Sequence, residues 1–226
     1  MKNLNKTVLI FAAHPDDDIL GCGGTIAKLS QKGLKVHVIF LADGESSRNE
    51  IKDIKNLILQ RKHNAKKALK ILGCQSIKFL DFADNRLDSL DLLDIVKKIE
   101  NFIDVYKPYT IFTHYLHDLN IDHQVTHKAV VTACRPQPQS HVKELLFFEV
   151  PSSTEWNLTE AFMPNYFVDI SGTLHLKKKA LNVYKNEMKS FPHPRSIKAI
   201  EFLSYYRGST VGCEAAEAFI IGRKIN

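Results

Sequence analysis

The feature that most limits the fold of this chain is a regular alternation of short apolar runs with amphipathic helical patterns. Residues 7–12 and 36–41 are almost wholly apolar, as expected of strands that are covered on both faces. Shorter runs follow at residues 77–80 and 109–113, and a helical stretch separates each run from the next. Strands that alternate with helices form right-handed crossovers. The sequence therefore predicts a Rossmann-like α/β fold, with a mostly parallel sheet and helices on both faces.

The helical stretches are marked by apolar residues every three or four positions and by punctuating residues at their ends. Gly33 and Gly73 follow the first two helices, at positions suited to a left-handed cap. The predicted helices are residues 19–31, residues 51–72, one capped by Ser89 with a buried face of Leu92, Val96, Ile99 and Ile103, residues 122–134, and one with the stripe Leu176, Ala180, Tyr184 and Met188. Three further strands are predicted at residues 145–148, 166–170 and 218–221.

Length and composition predict one domain that spans residues 1–226, because the chain has no linker, repeat or low-complexity tract. No segment approaches the roughly 20 apolar residues that span a bilayer. The apolar run 8–13 is short and does not end in a signal-peptide cleavage site. The four cysteines are scattered without a C-x-x-C pair, which argues against a cysteine zinc site. We predict a cytoplasmic protein without a transmembrane segment.

The formal net charge is +6, and basic clusters lie at residues 61–62, 66–67, 97–98 and 177–179. Each cluster falls in a helical pattern, so we interpret it as a solvated helix face. The alternative is attraction of an anionic substrate, such as a nucleotide sugar, or of an anionic membrane surface. Aromatic residues are not interleaved with these charges, which argues against nucleic acid as a partner.

The loop directly after the first strand carries a histidine and three consecutive carboxylates, His14-Pro15-Asp16-Asp17-Asp18. In open parallel sheets, ligands bind at the carboxyl ends of the strands. One aspartate at a helix start is explained by capping, but three adjacent carboxylates repel one another and need a compensating cation. A bound metal ion supplies that cation.

The glycines that follow this loop raise the alternative of a dinucleotide site. Gly21 and Gly23 match the first two positions of G-x-G-x-x-G, but Ile26 occupies the last position. The preceding carboxylates would also repel a pyrophosphate. We reject this alternative and predict that the glycines allow close packing of the helix.

A second polar loop, residues 114–123, follows the fourth strand and is rich in histidine. Taken alone it is ambiguous, because histidines are common at surfaces and Asp122 could simply cap the next helix. Together the two loops supply histidines and carboxylates at one edge of the sheet. Two histidines and one carboxylate suit a catalytic zinc site with one open position, and Fe(II) or another divalent ion also accepts such ligands.

These motifs carry a family resemblance. Residues 13–18, A-H-P-D-D-D, resemble the A-H-P-D-D-E signature of the PIG-L/LmbE-like de-N-acetylases, and residues 120–123, N-I-D-H, resemble the second signature H-P-D-H. The resemblance covers nearly the whole chain and is closest to the bacterial branch. It implies that His14, Asp17 and His123 bind zinc and that Asp16 is the general base. In that role Asp16 would take a proton from the metal-activated water and return it to the departing amine.

The sequence departs from the family pattern at two positions. Asp18 replaces the usual glutamate, and Asn120 stands where many members have the histidine of H-P-D-H. Asparagine can donate a hydrogen bond to an oxyanion but cannot shuttle a proton. We therefore predict Asn120 as a catalytic donor, with His117 and His193 as alternatives, and Asp18 and Asp122 as residues that support the ligands.

Substrate contacts are predicted at Arg48, Asp84 and Asn85, which follow the second and third strands, although Asp84 and Asn85 would also suit a simple turn. His117 and His193 complete the predicted substrate-binding set. The leading hypothesis is a zinc-dependent hydrolase that removes an N-acyl group, in first place N-acetyl, from an amino sugar that is free, nucleotide-linked or part of a glycoconjugate.

Two other classes remain as alternatives. Asn120 motivates a metal-bearing sugar-binding protein without catalysis. The same metal ligands also occur in non-haem Fe(II) oxygenases, but those enzymes are usually all-β, unlike this pattern. A homo-oligomer is compatible with the sequence, which determines neither the oligomeric state nor the exact sugar.

Overall fold

The computed structural model describes residues 6–47 and 53–225, whose strands form one seven-stranded sheet. The spatial order is β3-β2-β1-β4-β5-β7-β6. Strands β1 to β5 are parallel, and β7 runs antiparallel to both of its neighbours. The predicted Rossmann-like, mostly parallel α/β sheet is confirmed. The strands are β1 (Thr7–Ala12), β2 (Lys35–Ala42), β3 (Ser76–Phe82), β4 (Thr110–His114), β5 (Glu144–Phe148), β6 (Tyr166–Asp169) and β7 (Ala216–Lys224).

Helices cover both faces of the sheet. Apolar residues of α1, α2, α5 and α6 pack in one core cluster, and those of α3 and α4 pack in a second cluster on the other face. The described part of the chain offers no helix with the length and apolar character needed to cross a bilayer. The helices are α1 (Asp17–Gln31), α2 (Ile54–Ile71), α3 (Leu92–Tyr106), α4 (Ile121–Ala133), α5 (Leu174–Leu181) and α6 (Ile197–Ser209).

Strand β1 lies between β2 and β4 and contributes side chains to both core clusters. Val8 and Ile10 face the cluster with α1, whereas Leu9 and Phe11 face the cluster with α3 and α4. Successive side chains of a strand point to opposite faces, so a strand covered on both sides needs an unbroken apolar run. This burial explains why the predicted bounds of β1 match the observed strand.

The start of α3 was predicted wrongly. Ser89 lies in a short 3₁₀ turn, Leu87–Ser89, and its hydroxyl donates to the carbonyl of Arg86 (2.7 Å) instead of capping α3. The helix begins at Leu92, which is 39% exposed. Its buried residues are Ile95, Val96 and Ile99.

The late helix is also shorter than predicted. Helix α5 ends at Leu181 and is followed by a separate 3₁₀ turn, Asn182–Tyr184. Met188 therefore lies beyond the helix, although its side chain still packs against the first core cluster. Apolar spacing alone did not reveal that the helical path changes between residues 181 and 188.

Helix α1 is interrupted at Cys22, whose backbone (φ −144°, ψ 23°) is not helical. After this break the carboxylate of Glu217, on β7, accepts hydrogen bonds from the backbone N–H groups of Gly24 (2.9 Å) and Thr25 (2.7 Å). The ammonium of Lys177 donates to the same carboxylate (2.6 Å), and both side chains are 3% exposed. The sequence pattern predicted that Lys177 lies on a solvated helix face. That prediction was wrong, because the side chain is buried.

The prediction of close helix packing at the glycines is confirmed. A Cβ atom at Gly24 would lie 2.8 Å from the side chain of Ile170, and one at Gly21 would lie 2.4 Å from the ring of Phe148. Both distances are shorter than real side-chain contacts, so any larger residue would push α1 away from the sheet.

We expect Glu217→Ala to lower the free energy of unfolding by about 3–5 kcal/mol, because it leaves the ammonium of Lys177 buried without its carboxylate. Denaturant unfolding measures this loss. The matched control is Glu201→Ala, which removes the more exposed pair with Lys178 (2.5 Å) and should cost less than about 1 kcal/mol. Equal losses in the two variants would contradict a structural role for the buried pair.

Candidate metal centre and active site

The two polar loops meet because β1 and β4 are neighbours in the sheet. His14 follows β1, Asp17 begins α1, and His123 lies in the first turn of α4. The Asp17 Oδ2 atom is 3.2 Å from His14 Nδ1 and 3.1 Å from His123 Nε2. All three side chains are buried, and their ligand atoms lie within 4.8 Å of one another. The structure thus brings the three predicted metal ligands together.

The spacing of these atoms fits a bound metal ion. Ligands of a tetrahedral zinc ion lie about 3.3 Å apart when the bonds are about 2.0–2.1 Å long. The two observed separations from Asp17 are close to that value. Two imidazole nitrogens and one carboxylate oxygen are also a donor set that zinc and Fe(II) accept. The residues can therefore hold a divalent ion without rearrangement of the fold.

Each candidate histidine ligand is held from its other side by a second carboxylate. Asp122 Oδ2 lies 3.0 Å from His14 Nε2, and Asp118 Oδ1 lies 3.1 Å from His123 Nδ1. Such partners fix the tautomer and the orientation of a metal-binding imidazole. Asp118 performs for His123 the role that the sequence suggested for Asp122, and sequence reasoning missed it.

The charges of this cluster shift the pKa values of its members strongly. Burial disfavours the charged form of His123, but the carboxylates of Asp17 and Asp118 outweigh it and raise the pKa to about 9. Burial raises the pKa of Asp118, but His123 and the hydroxyl groups of Ser153 and Thr154 outweigh it and bring that pKa to about 2. The negative charge is thereby fixed on the residue that orients His123.

His14 also contacts Asp84, whose Oδ1 atom lies 2.9 Å from Nε2. His14, Asp84 and Asp122 therefore form a second group with the spacing of metal ligands. However, the carboxylate of Asp122 already accepts the backbone N–H groups of Asn85 (2.8 Å) and Leu87 (3.0 Å). Both oxygens of Asp122 are thus bonded to the backbone, which holds this carboxylate in place against His14.

Asn120 is the N-cap residue of α4. Its Oδ1 atom accepts from the backbone N–H groups of Asp122 (2.8 Å) and His123 (3.4 Å). Asp122 therefore does not cap the helix, because its carboxylate points back to His14. The Nδ2 group of Asn120 donates to Oδ1 of Asn85 (3.1 Å), and both asparagines line the cleft.

Asp16 lies beside the predicted ligands and is 1% exposed. Its Oδ2 atom is 3.2 Å from Arg61 Nη2 and 3.5 Å from Arg195 Nη1. Burial raises the pKa of Asp16, while the two guanidinium groups oppose that effect. Its backbone has φ 128°, which a non-glycine residue rarely adopts, and such strain concentrates at functional sites.

Asp18 supports this conformation from behind. Its Oδ1 atom accepts the backbone N–H of Asp16 (3.3 Å), and its side chain is fully buried outside the cleft lining. Burial raises the pKa of Asp18 well above its usual range, and the charges of Asp16 and Asp17 add to this effect. The position thus stabilises the loop and has no direct access to the cleft.

Arg61 is a site residue that the sequence pattern misassigned. It was interpreted as part of a solvated helix face, but it is 5% exposed. Besides Asp16, its guanidinium contacts Glu45 (3.1 Å) and Glu187 (2.8 Å). Arg61 lies on the same stripe of α2 as the buried Ala65 and could have been recognised as a charge on an apolar face.

The site opens into a polar cleft of about 230 Å³. Its walls include residues from segments without a recognisable motif, among them Glu187, Ser152, Ser153 and Arg195. The cleft is lined by His14, Asp16, Asp17, Gly44, Ser47, Arg61, Asp84, Asn85, Asn120, His123, Ser152, Ser153, Glu187 and Arg195.

Two of the predicted substrate residues lie outside the cleft lining. His117 and His193 do not line the cleft; the carbonyl of His117 accepts from Asn157 Nδ2 (2.7 Å), and His193 Nδ1 accepts from the backbone of Arg195 (3.0 Å). Arg48 lies outside the described residues. Asp84 and Asn85 do lie in the cleft wall, where the sequence predicted a substrate contact.

The family model described as PIG-L, GlcNAc-PI de-N-acetylase, matches residues 9–134, which include both polar loops. The chain belongs to the PIG-L family. An uncharacterized deacetylase of Escherichia coli K12, YaiS, is 34% identical over 175 residues, which cover 74% of this chain and 84% of YaiS. The protein is therefore an enzyme of the deacetylase class, as predicted.

Solved structures of two other proteins share the fold. The N,N'-diacetylchitobiose deacetylase from Pyrococcus horikoshii aligns with a TM-score of 0.80 at 21% identity, covering 96% of this chain and 84% of its own. GalB, a 4-carboxy-2-hydroxymuconate hydratase from Pseudomonas putida KT2440, aligns with a TM-score of 0.79 at 22% identity, covering 98% of each chain. At these identities the likeness concerns the fold alone, and the hydratase carries a different reaction on it.

Proposed function

We propose that this protein is a zinc-dependent hydrolase that removes the N-acetyl group from an amino sugar. The observation that carries the proposal is the convergence of His14, Asp17 and His123 in a polar cleft, with Asp16 beside them. The family description and the deacetylase relatives support N-acetyl sugars as the substrate class.

In this proposal Asp16 is the general base. A zinc ion, when bound, would supply a Lewis acid that polarises the amide carbonyl and lowers the pKa of water to about 7. Asp16 would accept the proton of the attacking water and pass it to the departing amine. Arg61 and Arg195 hold one carboxylate oxygen of Asp16, which leaves Oδ1 without a hydrogen-bond partner among the described residues.

In this proposal Asn120 assists as a hydrogen-bond donor. Its Oδ1 atom is engaged by the helix, so its Nδ2 group is the side that faces the cleft. A donor of this kind stabilises the developing oxyanion by roughly 3–4 kcal/mol when it is aligned. Asn120 then needs no proton, and Asp16 carries out both proton transfers.

The other two classes that the sequence left open are not retained. A binding protein without catalysis conflicts with membership of the deacetylase class. The α/β fold of this chain also differs from the all-β fold that is usual for the oxygenases. The polar walls of the cleft suit a substrate rich in hydroxyl groups, which supports a sugar over an apolar amide.

The test is acetate release from a panel of N-acetylated sugars, free and nucleotide-linked, by enzyme of measured metal content. We expect release that a chelator abolishes and that added zinc restores. An N-acetylated amino acid serves as the control amide and should remain intact. Stoichiometric metal with no acetate released from any sugar would reject the proposal, and full activity of the metal-free protein would reject its metal dependence.

A further inference from the structure

The single tryptophan of this chain, Trp156, lies in a segment that continues from the cleft lining. Trp156 ends a 3₁₀ turn, Thr154–Trp156, that directly follows the cleft residues Ser152 and Ser153. Its side chain is 45% exposed. The half-exposed indole combines a flat apolar face with a polar N–H. Tryptophan side chains of this kind are enriched at interfaces.

The turn that carries Trp156 is fixed to the candidate metal centre. Thr154 Oγ1 donates to Asp118 Oδ2 (2.6 Å), and the hydroxyl of Ser153 donates to the other oxygen of the same carboxylate. On the far side, Asn157 Nδ2 donates to the carbonyl of His117 (2.7 Å). Because Asp118 also contacts His123, the position of Trp156 is coupled to that of a predicted metal ligand.

A series of residue contacts connects Trp156 to the proposed base. The imidazole of His193 packs edge-on against the indole, with ring centroids 5.8 Å apart and an interplanar angle of 78°. His193 accepts the backbone N–H of Arg195, whose Nε donates to Ser152 Oγ (3.0 Å) and whose Nη1 reaches Asp16. A group attached to a sugar that contacts Asp16 can therefore extend along these residues toward the indole.

The size of the cleft limits what it can enclose. Its volume of about 230 Å³ lies below the roughly 300–1,000 Å³ of pockets that hold drug-sized ligands. It can enclose about one sugar ring. Any further unit of a glycan must lie outside the cleft, and the exposed indole of Trp156 is an apolar face available to it.

We propose that Trp156 forms a second sugar-binding subsite, so that the substrate is a glycan of at least two units instead of a free monosaccharide. This inference rests on the proposed function. The N-acetylated unit occupies the cleft, and the next pyranose places its apolar C–H face on the indole. His193 supports the ring from the side, which gives this histidine an indirect role in place of direct contact with the reacting unit.

Kinetics with two substrates test the subsite. We expect Trp156→Ala to reduce the ratio of kcat/KM for N,N'-diacetylchitobiose to kcat/KM for N-acetylglucosamine about ten-fold, mainly through KM of the disaccharide. Trp156→Phe keeps an aromatic face and should retain most of the ratio. Leu158→Ala is the matched control, because this apolar side chain of the same segment is 98% exposed and outside the subsite. An unchanged ratio in Trp156→Ala would overturn the proposal.

Binding provides a readout that does not depend on turnover. Since Trp156 is the only tryptophan, its fluorescence should change on titration of the Asp16→Asn variant with the disaccharide, and much less with the monosaccharide. If no sugar is deacetylated, the proposed function fails, and this titration still decides the subsite. Equal responses to both sugars would overturn the subsite. So would a Trp156→Ala protein whose sedimentation shows a smaller assembly, because the indole would then face another copy of the chain.

Discussion

An Asp16→Asn variant is expected to keep its bound metal and to lose about 10²–10⁴-fold in kcat, the usual contribution of a general base. Asparagine has the same shape as aspartate, so the strained backbone at this position (φ 128°) can persist. Arg61 keeps its contacts with Glu45 and Glu187 in this variant. Metal content, thermal unfolding and acetate release, measured on one preparation, separate loss of the base from loss of the fold.

The matched control for this prediction is Asp18→Asn. It removes a buried carboxylate from the same loop, but Asp18 does not line the cleft and touches the backbone of Asp16 instead. We expect its kcat to fall less than ten-fold, because the amide oxygen can still accept the N–H of Asp16. Full activity of Asp16→Asn would show that the base is another group. Equal losses in both variants would point to the charge of the loop instead of proton transfer.

The parts of the fold and site that the sequence predicted are those encoded by neighbouring residues. The apolar run of β1 and the polar residues His14, Asp16 and Asp17 are contiguous, so the strand, the turn and the candidate ligands follow from one stretch. His123 follows β4 in the same way. Because carboxyl ends of adjacent parallel strands meet at one edge, the sheet order brings the two loops together.

The parts that could not be predicted depend on tertiary packing. Glu187 comes from the segment between α5 and α6, which has no strand-helix pattern to fix its position. Asp118 lies in the second polar loop, but the sequence did not indicate that it contacts His123. Its position depends on Ser153 and Thr154, about 35 residues away in the chain. Arg61 and Lys177 show that a charge in a helical pattern is solvated only if no buried carboxylate faces it.

The fold explains why asparagine can replace the histidine of the H-P-D-H signature at position 120. A residue at the N-cap of α4 must accept backbone N–H groups, and asparagine is among the best residues for that task. Histidine lacks the short side-chain oxygen that makes these bonds. The exchange thus strengthens the start of the helix that carries His123, while the Nδ2 group keeps a donor at the cleft.

A His123→Ala variant is expected to lose most of its bound metal and essentially all activity. Removing a residue that merely orients a ligand typically costs 10–100-fold in metal affinity, so removing a ligand should cost more than about 100-fold. Asp118→Asn should fall in the lower range, because it keeps His123 but weakens its orientation. Metal titration with a chromophoric chelator as competitor measures both affinities, and the expected order is wild type, Asp118→Asn, then His123→Ala.

His127→Ala is the control that makes the metal measurement specific. His127 is a buried histidine one turn further along the same helix, and its Nδ1 atom contacts the carbonyl of His114 (2.8 Å) instead of Asp17. Its loss should destabilise the protein but leave the metal bound, because the three ligand atoms stay in place. Unchanged metal content in His123→Ala would remove His123 from the ligand set. Equal metal loss in His127→Ala would attribute the effect to damage of α4, and the assignment of His123 would then lose its support.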